Sequence, residues 1–287
     1  MKLFEKMTII GVGLLGASLA KACKKYNLVG EIIGFGRSQE NLEKAKSLGI
    51  IDRGAADLTE SVKDVDLVVL CTPVSRIVPL IEDLLPHLKQ GAVITDVGSV
   101  KGPLVHQADD LMPEGIYFVG SHPIAGGEKS GLEASREDLY VDAKCILTPT
   151  PKTDTQALEK VGALWESVGM DTLTLDADEH DFVFGAVSHL PHIVAYALMN
   201  TLGALRTKQN HEVTAYSGAG LKDITRIASG DPVMWRDICL SNQVHSLDLI
   251  DRFQDTLSEL RSVIEKKDGQ ALEEAFAAAN KYRMKVI

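Results

Sequence analysis

Four cysteines in 287 residues, with no C-x-x-C pair among them, leave no basis for a disulfide framework or a structural zinc site. Cys23, Cys71, Cys145 and Cys239 lie far apart, and Cys71 and Cys145 sit in apolar runs. That is the setting of a small buried hydrophobe in a reducing, cytoplasmic compartment. No run of Lys or Arg exceeds two, and the formal net charge is −10. A polyanion is repelled by this balance, so nucleic-acid binding is not expected. No stretch approaches about 18 apolar residues without a polar break, so no membrane span is expected. The first residues, Met1 to Lys6, lack the long apolar run of a signal peptide. Internal repeats and low-complexity tracts are missing too.

What is present is an ordinary globular composition, 45% hydrophobic and 24% charged. The length suits two domains of roughly 150 residues each. Short apolar runs alternate with helical patterns in the first half. Strands are expected at 7–10, 31–35, 66–71, 92–96, 117–120 and 145–148. Helices are expected at 15–25, 41–48 and 79–88, the last interrupted by Pro86. These strands are apolar throughout instead of alternating, which indicates a parallel sheet buried on both faces. The fold class is therefore α/β, a doubly wound Rossmann-type domain over 1–174. From about Asp178 strand-like runs nearly vanish, and helical periodicity covers 178–205, 231–266 and 269–284. An all-helical domain is expected over 175–287. Its broad face of Ala195, Leu198, Leu202 and Leu205 is wider than one small helical domain needs, which suits homodimerisation, while each of these residues taken singly reads first as plain buried core.

The turn Gly11-Val12-Gly13-Leu14-Leu15-Gly16 has the context a dinucleotide fingerprint requires, with a strand before it and a helix after it. Gly11 permits the tight turn, Gly13 lets the backbone approach a pyrophosphate, and Gly16 allows close helix packing. The helix N-terminus then offers free N–H groups and the positive end of its dipole. Thr72-Pro73, at the end of another strand, falls on the same carboxyl edge. An NAD site usually ends its second strand with a carboxylate on the ribose. Here that position reads Gly36-Arg37-Ser38. Arg37 and Ser38 suit a 2′-phosphate instead, which favours NADP, although Arg37 stacked on adenine or simply solvated stays open.

Three further motifs carry chemistry. Asp96-Val97-Gly98-Ser99-Val100-Lys101 and Ser121-His122-Pro123-Ile124-Ala125-Gly126 each follow a strand, where an open parallel sheet binds ligands. Ser188-His189-Leu190-Pro191-His192 lies on the first long helix of the second half. His189 and His192 share a helix face, but with no third ligand nearby no metal site is expected. His180, His211 and His245 have polar neighbours in sequence and are expected to face solvent.

Together with Lys222-Asp223-Ile224-Thr225-Arg226 and Trp235-Arg236-Asp237, these motifs resemble the prephenate/arogenate dehydrogenases of tyrosine biosynthesis, in order and spacing across nearly the whole chain. The resemblance implies oxidative decarboxylation of a cyclohexadienyl ring, with hydride transfer to NAD(P)+. It implies that His122 is the base and that Ser99 orients it or the substrate hydroxyl. Arg226 would hold a substrate carboxylate, and His192 with Ser188 would line the side-chain end. Glu128, Lys222 and Asp223 would form a charged network around the pocket. Trp235 is expected in the core or at an interface, and His189 in helix packing. Prephenate and arogenate both remain open as substrate, and tyrosine as an inhibitor. Two alternatives are a β-hydroxyacid dehydrogenase and a non-catalytic NAD(P)-sensing protein.

Overall fold

The computed structural model describes residues 2–127, 129 and 131–286. One sheet organises the first compact unit, which runs to Asn242. Its strands are β1 (Phe4–Ile10), β2 (Val29–Phe35), β3 (Arg53–Gly54), β4 (Leu67–Leu70), β5 (Val93–Asp96), β6 (Tyr117–Pro123), β7 (Lys144–Thr148) and β8 (Asp171–Thr174). They lie in the order β3-β2-β1-β4-β5-β6-β7-β8. The first six reproduce the Rossmann order, with its reversal between β1 and β4.

Alternate residues of these apolar strands feed two cores. Met7, Ile9 and Val69 pack on one face, with Leu19, Val161 and Trp165. Ile10, Val68 and Leu70 pack on the other, with Ile77, Ile81 and Leu104. Residues two apart share a face of a pleated strand. That is why runs with no polar alternation need helices on both sides. Those helices are α1 (Leu14–Lys25), α2 (Gln39–Ser47), α3 (Leu58–Ser61), α4 (Ile77–Leu84), α5 (Gly102–Leu111) and α6 (Thr155–Ser167). The expected helix over 79–88 starts two residues earlier and tightens into a 3₁₀ turn at Leu85–His87, where Pro86 lacks the donor to continue it.

The sheet is not parallel throughout. β7 runs antiparallel to β6, and β8, absent from the sequence reading, pairs parallel to β7. Among the described residues of 124–143, between β6 and β7, the one helical element is a 3₁₀ turn, too short to serve as the helical crossover of a parallel connection.

After β8 the chain is helical: α7 (Ala177–Phe184), α8 (Leu190–Gly203), α9 (Ala219–Thr225) and α10 (Pro232–Ser241). The expected continuous helix over 178–205 is widened at Gly185–His189 into a π segment, in which the Leu190 amide bonds the Gly185 carbonyl. Ala177–Gly203 is long and apolar enough to cross a membrane by length and composition alone, a test that the core helix of a soluble protein also passes. The second expected helix, over 231–266, is broken at Asn242. The second compact unit, Gln243–Ile287, consists of α11 (Gln243–Glu265) and α12 (Gly269–Arg283).

Candidate active site

Two glycines of the nucleotide turn are demanded by the protein itself. Gly11 has φ +100, and a Cβ there would lie 2.3 Å from the Cys71 carbonyl oxygen. A Cβ on Gly16 would lie 2.3 Å from the Gly11 carbonyl and 2.7 Å from Ile9 Cγ2. Gly13 differs, because nothing stands within 4 Å of the Cβ it lacks. Its bareness leaves an open cradle in front of α1. That helix starts at Leu14 with no side-chain cap and no acidic residue in its first turn, so its N–H groups face outward. Leu14 and Leu15 are half-buried there. The Thr72 hydroxyl, beyond β4, is buried and has no hydrogen-bond partner among the described residues. Pro73 leads into the 3₁₀ turn Val74–Arg76. An open cradle, uncapped amides and an orphaned hydroxyl on the carboxyl edge fit a dinucleotide phosphate.

At the end of β2, Ser38 caps α2 by accepting from the Asn41 amide at 3.1 Å. Asn41 Nδ2 in turn donates to the Val12 carbonyl at 2.9 Å. Arg37 is exposed, and Glu31, the carboxylate inside β2, is taken up by Arg53 at 2.9 Å.

The second cluster is built around two buried carboxylates. Asp96, at the end of β5, accepts from the Gly98 amide at 2.8 Å, the Ser121 amide at 3.1 Å and the Lys101 ammonium. Both Asp96 and Lys101 are fully buried. This folds the 97–101 loop back against β6 and leaves Ser99 half-buried. Asp181 on α7 accepts from the Lys101 amide at 2.7 Å and the Gly102 amide at 2.8 Å, tying the helical segment to the same loop.

His122 lies within β6, not beyond it, and is buried. Its Nδ1 is 2.8 Å from His180 Nε2, and His180 Nδ1 is 2.8 Å from Asp181 Oδ1. Phe184 closes on the His122 ring edge-on at 4.8 Å. The expectation that His180 faces solvent is wrong: it is fully buried. Its polar neighbours Asp178 and Glu179 suggested exposure. However, Ala177, His180, Asp181 and Phe184 fall at the i, i+3, i+4, i+7 spacing of one helix face, and that spacing was the signal to read. His189, also buried, joins the cluster through the Ser99 backbone and through Asn242 Nδ2 at 3.0 Å. Asn242 also donates to the Asp181 carbonyl at 2.8 Å.

Burial holds these imidazoles neutral. It is the main cause that lowers His122 well below its ordinary value, and the neighbouring His180, Lys101 and His189 add to it. His180 is lowered by burial although Asp181 pulls it up. His189 falls to about 4, again chiefly by burial.

The remaining expected residues surround α8. Pro191, in its first turn, lacks an amide donor, and the π segment before it carries Ser188. The Ser188 carbonyl accepts from His192 Nδ1 at 2.8 Å. His192 stacks on Trp235 with ring centroids 3.5 Å apart. Trp235 is buried, as expected for a core residue. His192 is lowered by burial and by the positive charge of Arg226, which places that exposed guanidinium in its neighbourhood. Lys222 is exposed on α9, one turn before Arg226. His211 is exposed and His245 half-buried. Glu128 lies outside the described residues.

The family description "Prephenate dehydrogenase, nucleotide-binding domain" matches residues 19–173, and "Prephenate dehydrogenase, dimerization domain" matches 176–278. The chain is 37% identical to the prephenate dehydrogenase of Bacillus subtilis, over 97% of this chain and 75% of that one. It is 34% identical to the cyclohexadienyl dehydrogenase of Zymomonas mobilis, over 99% and 97% of the two chains. Among solved structures, prephenate dehydrogenase from Aquifex aeolicus, in complex with hydroxyphenyl propionate and NAD+, superposes with a TM-score of 0.92 at 40% identity, covering 99% of this chain and 98% of that one.

Proposed function

The chain belongs to the prephenate dehydrogenase family, and we propose from that premise that it converts prephenate to 4-hydroxyphenylpyruvate with His122 as general base. It is an NAD(P)-dependent oxidoreductase. One observation carries the assignment of His122: it is a buried imidazole, held neutral at pH 7, on the carboxyl side of the sheet that also carries the nucleotide turn.

The bound nicotinamide supplies the acceptor for the hydride that leaves the ring carbon bearing the hydroxyl. His122 takes the hydroxyl proton as that hydride departs. The ring–carboxylate bond then breaks, its electron pair enters the ring, and CO₂ leaves. The oxygen of the new phenolate recovers the proton from His122. Ser99, on the loop pinned by Asp96 and His189, orients the hydroxyl.

Arg226 holds the carboxylate of the substrate side chain by charge and a planar fork, beside His192 and Ser188, with Lys222 at the rim. The charge that acts on His192 is positive. This suits the keto acid of prephenate better than the ammonium of arogenate. Gly11, Gly13, Leu14, Leu15 and Gly16 would hold the phosphates, with Thr72 and Pro73 alongside. Arg37 and Ser38 favour NADP over NAD, supported by the lack of a carboxylate at the end of β2. The family matches end and restart at 173 and 176, in support of domains over 1–174 and 175–287. The exposed apolar residues Phe182, Val187 and Leu205 support burial of the helical half in a homodimer. Tyrosine, which shares the product's ring, is proposed to compete for the same pocket.

A matrix of two substrates against two cofactors, followed at 340 nm, tests these assignments. Prephenate should give the higher kcat/KM. The Arg37→Ala variant should lose roughly tenfold or more of its NADP-to-NAD preference, the scale of a charged phosphate contact. His122→Asn should lose kcat by roughly 10²-fold or more. An unchanged kcat removes His122 from its role, and no turnover of either substrate by the native protein removes the whole reading.

A further inference from the structure

We propose that His180 and Asp181 are positioning residues for His122: they select the one tautomer in which its Nε2 is bare and can accept a proton. This rests on the reading of His122 as the base. The argument is one of donors and acceptors. A carboxylate only accepts. The Asp181 oxygen 2.8 Å from His180 Nδ1 therefore places the hydrogen of His180 on Nδ1. A neutral imidazole carries one ring hydrogen, so His180 Nε2 is left as an acceptor. The atom facing it at 2.8 Å, His122 Nδ1, is then the donor. The single hydrogen of His122 is used there, and Nε2 is left with its lone pair.

The arrangement works because neither imidazole is free to choose. His180 is fully buried and His122 nearly so, so no bulk water competes for the ring nitrogens. The other end of the chain is rigid. Asp181 Oδ1 also takes the Lys101 amide, and Oδ2 takes the Gly102 amide. These two bonds anchor the carboxylate to the start of α5, next to the loop that carries Ser99. When His122 receives the substrate proton it becomes an imidazolium with both nitrogens protonated. Its Nδ1–H stays on His180, which stays on Asp181, so the new positive charge faces a buried negative one through a neutral ring. Neither His180 nor Asp181 has to change protonation state. The relation matches that of the aspartate and histidine in a serine protease triad, where a wrong tautomer abolishes most of the rate, with one more ring interposed.

The test uses two substitutions at His180. Leu removes the acceptor facing His122. Gln keeps an acceptor oxygen near the position of Nε2, with nothing required from Asp181. Asp181 retains its two backbone donors in both variants, so both should fold, as checked by thermal unfolding. His180→Leu should lose kcat by about 10²-fold or more while KM for prephenate stays within a few-fold. His180→Gln should recover most of that loss. Independently of turnover, ¹⁵N spectra of histidine-labelled protein should show His122 protonated at Nδ1 and bare at Nε2 in the native chain. They should show the opposite tautomer in His180→Leu, where Nδ1 has lost its partner.

Native kcat in His180→Leu overturns the proposal. So does a His180→Gln variant that folds but is as impaired as the Leu variant, or a His122 tautomer that does not respond to either change. A His122→Asn variant with native kcat refutes the base assignment itself and is distinguished from these outcomes by that measurement alone.

Discussion

Lys101→Met separates a buried ion pair from an exposed one in the same molecule. The Lys101 ammonium and the Asp96 carboxylate are both fully buried, and Asp96 also accepts from the Gly98 and Ser121 amides. Methionine keeps the length and most of the volume of lysine, so the cavity contribution is small. What remains is a buried carboxylate holding two backbone hydrogen bonds and no counter-charge. Breaking a buried pair in this way costs about 3–5 kcal/mol, which lowers Tm by roughly 10 °C in a chain of this size. Lys152 and Asp110 form the control: they sit 2.8 Å apart, with side chains 63% and 78% exposed. Solvent screens that pair, and Lys152→Met should leave the urea midpoint close to that of the native protein. Urea midpoints at pH 7.5 measure both. A second readout is kinetic. The Lys101 charge is among the causes that hold His122 low, so its loss lets His122 protonate more readily. The acid limb of the kcat profile therefore moves to higher pH. Equal stability losses in the two variants, or an acid limb that stays in place, would refute this account of the Asp96–Lys101 pair.

Two glycines of one turn should fail differently. Gly13→Ala meets no protein atom within 4 Å and should keep its Tm while weakening dinucleotide binding in a fluorescence titration. Gly16→Ala places a Cβ 2.3 Å from a carbonyl oxygen and should cost about 1–3 kcal/mol of stability by displacing α1. The pH dependence of folding follows from the buried imidazoles. An unfolded histidine binds its proton near pH 6.5, whereas native His189 waits until about 4. The stability it contributes is complete above about 6.5 and is lost as pH falls toward 4. At pH 5 the loss from His189 is ~2 kcal/mol, and His122 and His180, lowered in the same direction, add to that loss. The urea midpoint of the apoprotein should fall between pH 7.5 and 5, and by less in His189→Gln. A midpoint that holds or rises would contradict the assignment.

The sheet and its nucleotide turn were legible because their signals are local. A short, unbroken apolar run with β-branched residues, such as Leu67–Leu70, reads as a strand covered on both faces, and all four of its residues are buried. Glycine spacing and flanking elements then identify the turn. Strand direction is not a local property, since Lys144–Thr148 reads equally well either way. The clue to its reversal lay outside it, in the absence of a helical pattern over 124–143. β8 escaped because Asp171–Thr174 is an edge strand with mostly exposed side chains and so carries no apolar run. The break at Asn242 coincides with hydrogen bonds from its side chain to Asp181 and His189, more than 50 residues away. Periodicity along one segment does not register these.

The site divides along the same line. His122, Ser99 and His192 were visible as residue types in recognisable strings. His180 and Asp181 were not, because their immediate neighbours Asp178 and Glu179 make the string look solvated. Yet α7 turns those two neighbours to the exposed side and buries the next two. A polar residue on the buried stripe of a helix has to find a partner, since an unpaired buried polar group is costly. For His180 and Asp181 the partners are His122 and the backbone of the Lys101 loop. Helical phase, unlike neighbour polarity, puts His180 and Asp181 on the stripe with Ala177 and Phe184 and so marks two polar groups in need of a buried partner. The partner they find is the proposed catalytic histidine.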